Sequence, residues 1–94
     1  MALARVVSFE DVDGGRVAEL SSRMESSGPP EGMPPAEFLL FHDASAGRAL
    51  AIMVFDSEED YRRGEEILEA MPAGETPGRR TSVAKYEVAV RASA

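Results

Sequence analysis

Two stretches of the chain, Glu37-Phe-Leu-Leu-Phe-His42 and Arg48-Ala-Leu-Ala-Ile-Met-Val-Phe55, are apolar at odd and even positions alike. Side chains of a strand alternate between its two faces, so strands without a polar face must be covered on both. Around them the pattern changes period. Leu3 to Phe9 reads as a strand, because Val6, Val7 and Phe9 favour extended backbone. Asp13 is placed to cap a helix in which Val17, Leu20 and Met24 recur at helical spacing. That helix is expected to be short and to fray into Ser26-Ser-Gly28. Gly28 to Pro35 is proline-rich and unsuited to helix or central strand; it reads as an ordered connection in the form of a flap. Asp43 to Arg48 is a hairpin loop in which Gly47 can take positive φ. Ser57-Glu-Glu-Asp60 has the form of a capping box. Tyr61, Gly64, Leu68 and Met71 follow as an apolar stripe, widened by Ile67. Pro72 and Gly74 stop the second helix, residues 75–80 form a loop, and Thr81 to Arg91 is the last strand, with Val83, Tyr86, Val88 and Val90.

The order is β-α-β-β-α-β. Right-handed crossovers put both helices on one face of a four-stranded antiparallel sheet, an α+β fold of ferredoxin-like type. The other face is left bare, although its strands are apolar there too. The expected cover is a second copy, giving a homodimer through the sheet face that the helices do not reach.

Composition narrows the function. With 94 residues the chain is expected to be a single domain over 1–94. Such a domain buries only roughly 60–65% of its unfolded surface, which oligomerisation would help. Cysteine is absent, which excludes thiolate chemistry and cysteine metal sites. One histidine makes a zinc site unsupported, and the acids from Asp56 to Asp60 lack the spacing of a calcium loop, so no metal and no cofactor is expected. The net charge of −7 disfavours nucleic acid and anionic membrane surfaces. No apolar run approaches the ~18 residues of a membrane span. The N-terminus lacks the basic and long apolar regions of a signal peptide, so a cytoplasmic location is expected.

If Asp43 opposes Arg48 in the hairpin, the two faces can be written down. One holds Phe38, Leu40, His42, Ala49, Ala51, Met53 and Phe55; the other holds Leu39, Phe41, Leu50, Ile52 and Val54. The second is uniformly bulky. The first sets two alanines beside a histidine, which leaves room for a ligand. The candidate pocket is therefore Phe38, Leu40, His42, Met53, Phe55 and Tyr61, for a small apolar or aromatic molecule. His42 is the candidate for proton transfer or hydrogen bonding. A solvated strand end is nevertheless the stronger account of His42, and core packing that of Tyr61.

The ordered series Phe38-Leu-Leu40, Asp43 with Gly47, Arg48-Ala-Leu-Ala-Ile52, Phe55-Asp-Ser-Glu-Glu59 and Ser82-Val-Ala-Lys-Tyr-Glu-Val88 resembles the dimeric α/β barrel superfamily. It is similar to its small actinobacterial-type antibiotic biosynthesis monooxygenase (ABM) members, over nearly the whole chain. The resemblance implies two ferredoxin-like protomers joined sheet to sheet, with helices outside. It also implies a choice of functions, since such proteins include cofactor-independent oxygenases of polycyclic aromatics, haem-degrading enzymes and proteins without known activity. Where relatives often carry tryptophan this chain has Phe55, and no Asn/Trp/His set of the haem-degrading type is present. Two readings follow. One is a dimeric module that binds a small apolar molecule without catalysis. The other is a cofactor-independent monooxygenase of a planar aromatic substrate, with His42 moving a proton.

Overall fold

A computed structural model of the protein describes residues 1–70 and 76–93. The elements are β1 (Leu3–Glu10), α1 (Gly14–Ser27), β2 (Ala36–Asp43), β3 (Arg48–Phe55), α2 (Glu58–Glu69) and β4 (Arg79–Glu87). The strands form one antiparallel sheet in the order β2-β3-β1-β4, so β1 and β3 are central and β2 and β4 are edges. This is the expected ferredoxin-like α+β fold.

Local chemistry sets the element ends. Asp13 caps α1, its Oδ1 accepting from the Gly15 amide at 2.8 Å. Ser57 caps α2, its hydroxyl accepting from the Asp60 amide at 3.2 Å. Both side chains satisfy amides that a helix start leaves without a partner. At the other end of α1, Gly28 takes φ 71° and its amide donates to the Met24 carbonyl at 3.1 Å. The helix thus runs to Ser27. The hairpin has the expected register, Asp43 opposite Arg48, His42 opposite Ala49 and Leu40 opposite Ala51. Asp43 holds the loop, accepting from Ser45 Oγ at 2.9 Å, the Ala46 amide at 3.2 Å and Arg48 Nε at 3.3 Å. These bonds, Ser45 first, keep its carboxyl below the usual range.

The last strand is displaced from the expected Thr81–Arg91 to Arg79–Glu87. A register shift at Ser8/Phe9 lets the ladder continue to Arg80 opposite Phe9 and Arg79 opposite Glu10. Arg79 is then anchored by Glu10 and Asp11, each at 3.1 Å. Beyond Glu87 the opposing strand has ended, and the amide of Val88 makes one further bond, to the Ala2 carbonyl at 2.9 Å. Met71, Pro72 and Gly74, expected to end the α2 stripe and stop the helix, lie outside the described residues.

α2 closes the core. Leu3, Met53, Phe55 and Tyr61 form its centre, with Met33, Phe38 and Leu68 packed around them. Phe55 has no exposed surface. Its ring meets that of Tyr61 edge to face, 5.7 Å between centroids and 74° between planes. Gly64 makes the approach possible: a Cβ there would stand 2.4 Å from Phe55 Cε1 and Cζ. The proline-rich connection folds in as well, with Met33 Sδ 3.4 Å from the same position.

Candidate functional site

Phe38, Leu40, His42, Ala49, Ala51, Met53 and Phe55 occupy the sheet face under the helices. Cross-strand pairing adds Leu3, Arg5, Val7 and Phe9 from β1 to that face. The structure brings Phe38, Met53, Phe55 and Tyr61 together in one packed cluster. Leu40 is half-buried, two residues further along β2. His42 stands apart. Four residues of strand separate it from Phe38, about 13 Å. It is exposed, at the start of α1, with its Cε1 4.0 Å from a Cβ position on Gly14.

Between these extremes the two helices cover the sheet unequally. α2 places Tyr61 and Gly64 fully inside, whereas no residue of α1 is buried. Val17, Leu20 and Met24 are only half-buried, though they are the apolar stripe of that helix. The sheet on this side carries Ala49, which is buried, and Ala51, which is half-buried. The N-terminal end of α1 is held in place by neighbouring loops: the Val12 amide donates to the Gly47 carbonyl at 3.0 Å, and the Asp13 amide to the Pro77 carbonyl at 3.3 Å. Gly78 belongs to the same junction, where a Cβ would lie 2.5 Å from the Glu10 carbonyl oxygen.

Acid–base capacity at the covered face is limited. Burial, and next the charge of Glu65, push the Tyr61 phenol above its usual pKa, so it stays protonated at neutral pH. Lys85 Nζ lies 4.8 Å from the Tyr61 ring centroid, a cation–π contact, while donating to Glu58 at 2.6 Å. With Arg62, Glu65, Val83 and Ala84 these residues line a cleft of about 270 Å³ between α2 and β4. A second, open depression of about 540 Å³ lies at the hairpin end of the sheet and includes His42, Phe41, Arg48 and Ser8. Among the described residues no group of three His, Cys, Asp or Glu is arranged to hold a metal ion.

Arg5 is the residue that sequence reasoning missed. It is 6% exposed and lies on the helix-covered face. It donates to Glu69 Oε1 at 2.5 Å and approaches Glu65 Oε2 at 3.7 Å, but its buried Nε has no hydrogen-bond partner. The odd-numbered apolar residues of β1 define the covered face, and Arg5 shares their parity; that was the available signal.

The opposite face is uncovered. It carries Leu39, Phe41, Leu50, Ile52 and Val54 from the hairpin and, by pairing, Ala4, Val6, Ala84 and Tyr86. Phe41 is 51% and Tyr86 58% exposed, and Leu39 and Leu50 are exposed as well. No described helix is long and apolar enough to cross a membrane.

No protein-family model matches the chain, and no curated protein does. Solved structures do. A variant of MhuD with two manganese protoporphyrin IX molecules bound per active site is similar over 98% of this chain and 99% of its own, at 19% identity and a TM-score of 0.63. Rv0793 from Mycobacterium tuberculosis is similar over 99% and 100%, at 14% identity and a TM-score of 0.60. A protein from Chloroflexus aurantiacus J-10-fl, assigned as an antibiotic biosynthesis monooxygenase, is similar over 92% and 91%, at 12% identity and a TM-score of 0.56. At these identities the likeness is one of fold, the ferredoxin-like α+β arrangement described above.

Proposed function

We propose that the protein is a homodimeric ABM-like domain that binds a small apolar or aromatic molecule between α1 and the Leu40–Ala51 part of the sheet, without transforming it. The observation that carries this reading is that α1 buries none of its residues, while the helix-covered face of the sheet carries the small side chains of Ala49 and Ala51. A helix stripe left half-buried beside small side chains is where a small apolar ligand would supply the missing contacts. Phe38, Met53, Phe55 and Tyr61 form the packed floor at one end of this site, and His42 is a polar group at its rim. The fold likeness to a porphyrin-binding protein supports a flat ligand. A metalloporphyrin is a poorer fit, because the single histidine of the chain stands at the exposed rim and α2 has none. Binding without catalysis follows from the chemistry of the floor. Proton transfer needs a group within hydrogen-bond reach that can change state near neutral pH, and Tyr61 is held protonated.

A neutral probe such as N-phenyl-1-naphthylamine avoids repulsion by the acidic surface. Its fluorescence is expected to rise saturably on titration with the protein. Ala51→Phe fills this site and is expected to weaken binding at least tenfold, about 1.4 kcal/mol, with the far-ultraviolet circular dichroism retained. His42→Ala is expected to leave affinity unchanged. An Ala51→Phe variant that folds and binds as well as the parent would refute the site. Oxygen uptake with 1-naphthol above the protein-free rate would favour the monooxygenase reading, and loss of that uptake in His42→Ala would assign the proton transfer.

A further inference from the structure

We infer that the cleft between α2 and β4 is a second, separate site, which binds the zwitterion of an α-amino acid with a small aliphatic side chain. It lies at the β4 edge of the sheet, and β1 separates it from Ala51. Glu58, Arg62 and Glu65 line its helix wall at i, i+4 and i+7, and Val83 and Lys85 its strand wall. Its volume of about 270 Å³ falls below the ~300–1,000 Å³ of drug-sized sites, which suits a small ligand. The walls carry both signs of charge, and only part of that charge is matched internally. Lys85 donates to Glu58 at 2.6 Å and lies 4.8 Å from the Tyr61 ring centroid, so these two charges answer each other. Arg62 approaches Glu58 only to 3.7 Å, and its side chain is exposed. Glu65 is held less still. Among the described residues the cation nearest to it is Arg5, whose Nε stands 3.7 Å away, beyond hydrogen-bond length. The charge of Arg5 is met instead by Glu69, which accepts from it at 2.5 Å.

One base and one acid are thus left available, three positions apart on one face of α2 and about 4.5 Å along its axis. A ligand with a single charge meets one of them and leaves the other unpaired beside it. An α-amino acid carries an ammonium and a carboxylate on the same carbon and answers both. The ammonium donates to Glu65, and the carboxylate accepts from the planar fork of Arg62. Val83 supplies the remaining contact. Its pairing with Val7 puts it on the helix-covered face, yet it is 40% exposed beside α2. An aliphatic side chain laid on Val83 removes that apolar surface from water. A zwitterion is also not repelled by the net charge of −7, as a free carboxylate is.

The test titrates L-leucine into isotope-labelled protein and follows the backbone amides by heteronuclear NMR. Saturable shifts are expected at Glu65, Val83 and Lys85. The analogues 3-methylbutylamine and 4-methylpentanoate keep the side chain and one charge each, and both are expected to bind at least tenfold more weakly than leucine. Arg62→Gln and Glu65→Gln alter side chains that are exposed or half-exposed, so the fold is expected to persist, as checked by circular dichroism. Each is expected to weaken leucine binding at least tenfold. Arg62→Gln should spare the amine analogue, and Glu65→Gln the acid. Ala51→Phe is expected to leave leucine binding unchanged, which keeps this site apart from the one beside α1. No saturable shift at millimolar leucine would overturn the proposal. So would a singly charged analogue that binds as tightly as leucine, or folded Arg62→Gln and Glu65→Gln variants that bind it like the parent. Shifts gathered around α1 and Ala51 rather than β4 would give leucine to the other site and sink this one.

Discussion

At the scale of single residues, the closest approach in the core is between Gly64 of α2 and the Phe55 ring. A methyl group on Gly64 would meet two ring carbons at 2.4 Å, and the ring has no exposed side toward which to move. Alanine is the better helix former by about 1 kcal/mol, but overpacking a core costs about 1–3 kcal/mol. Gly64→Ala is therefore expected to lower the urea midpoint, and Phe55→Leu in the same chain to recover part of the loss. The apolar stripe through Gly64 was legible as helical spacing. The reason for glycine in it was not, because the ring that demands it arrives from another element. Arg5 is similar. Its partners Glu65 and Glu69 lie some sixty positions away, and no local pattern pairs them. Glu69 is also held by Arg80 at 3.0 Å and is half-exposed, so Arg5→Met strands no buried charge. It also removes an orphaned Nε. Replacing a buried ion by an apolar side chain is often neutral or stabilising, and a urea midpoint equal to or above the parent's is expected.

At the scale of elements, α2 is tied to β4 at both ends, by Glu58 to Lys85 at 2.6 Å and by Glu69 to Arg80 at 3.0 Å. The Lys85 hydrogen bond holds the Glu58 carboxyl below its usual pKa, and those of Arg80 and then Arg5 do the same for Glu69. A carboxylate with a folded-state pKa below its unfolded one contributes stability above the unfolded value. That contribution disappears as pH falls through the folded pKa. Acid should thus loosen α2 from β4 below the ordinary glutamate range, while neutral and alkaline pH leave the ties intact. Glu58→Gln/Glu69→Gln is expected to show a shallower fall in melting temperature on acidification than the parent, read by circular dichroism. The caps, the hairpin register and the order of elements were readable because each rests on neighbours within a few residues. The limits of β4 were not, since the bulge at Ser8/Phe9 and the end of β1 decide them. The candidate site divides in the same way. Which residues share the helix-covered face followed from alternation along β2 and β3. That the face is tightly filled near Phe55 and loosely covered near Ala51 depends on how closely each helix packs, which strand alternation does not encode.

At the scale of the whole molecule, an acidic protomer presents one broad apolar face. Repulsion between copies carrying a net charge of −7 opposes association, so any dimer must be held by what that face buries. Phe41 lies on it, half-exposed in the protomer and on an edge strand, where a polar replacement leaves the core near Phe55 untouched. In a two-fold interface each substitution counts twice. Burying a whole phenylalanine contributes about 1.5–3 kcal/mol; Phe41 has about half of its surface left to bury, so over two copies Phe41→Glu removes about 1.5–3 kcal/mol from a dimer, and it brings a further charge from each copy into the contact. The apolar loss alone corresponds to a dissociation constant raised by roughly 10- to 10²-fold, and the buried charges add to it. Light scattering at micromolar concentration is expected to show a mass near the protomer's 10.1 kDa for Phe41→Glu and twice that for the parent. Ala18→Glu, an exposed change on α1, adds the same charge away from the sheet and should leave the mass at the dimer value. If Phe41→Glu folds and keeps the parent's mass, the bare face of the sheet is not where two copies meet.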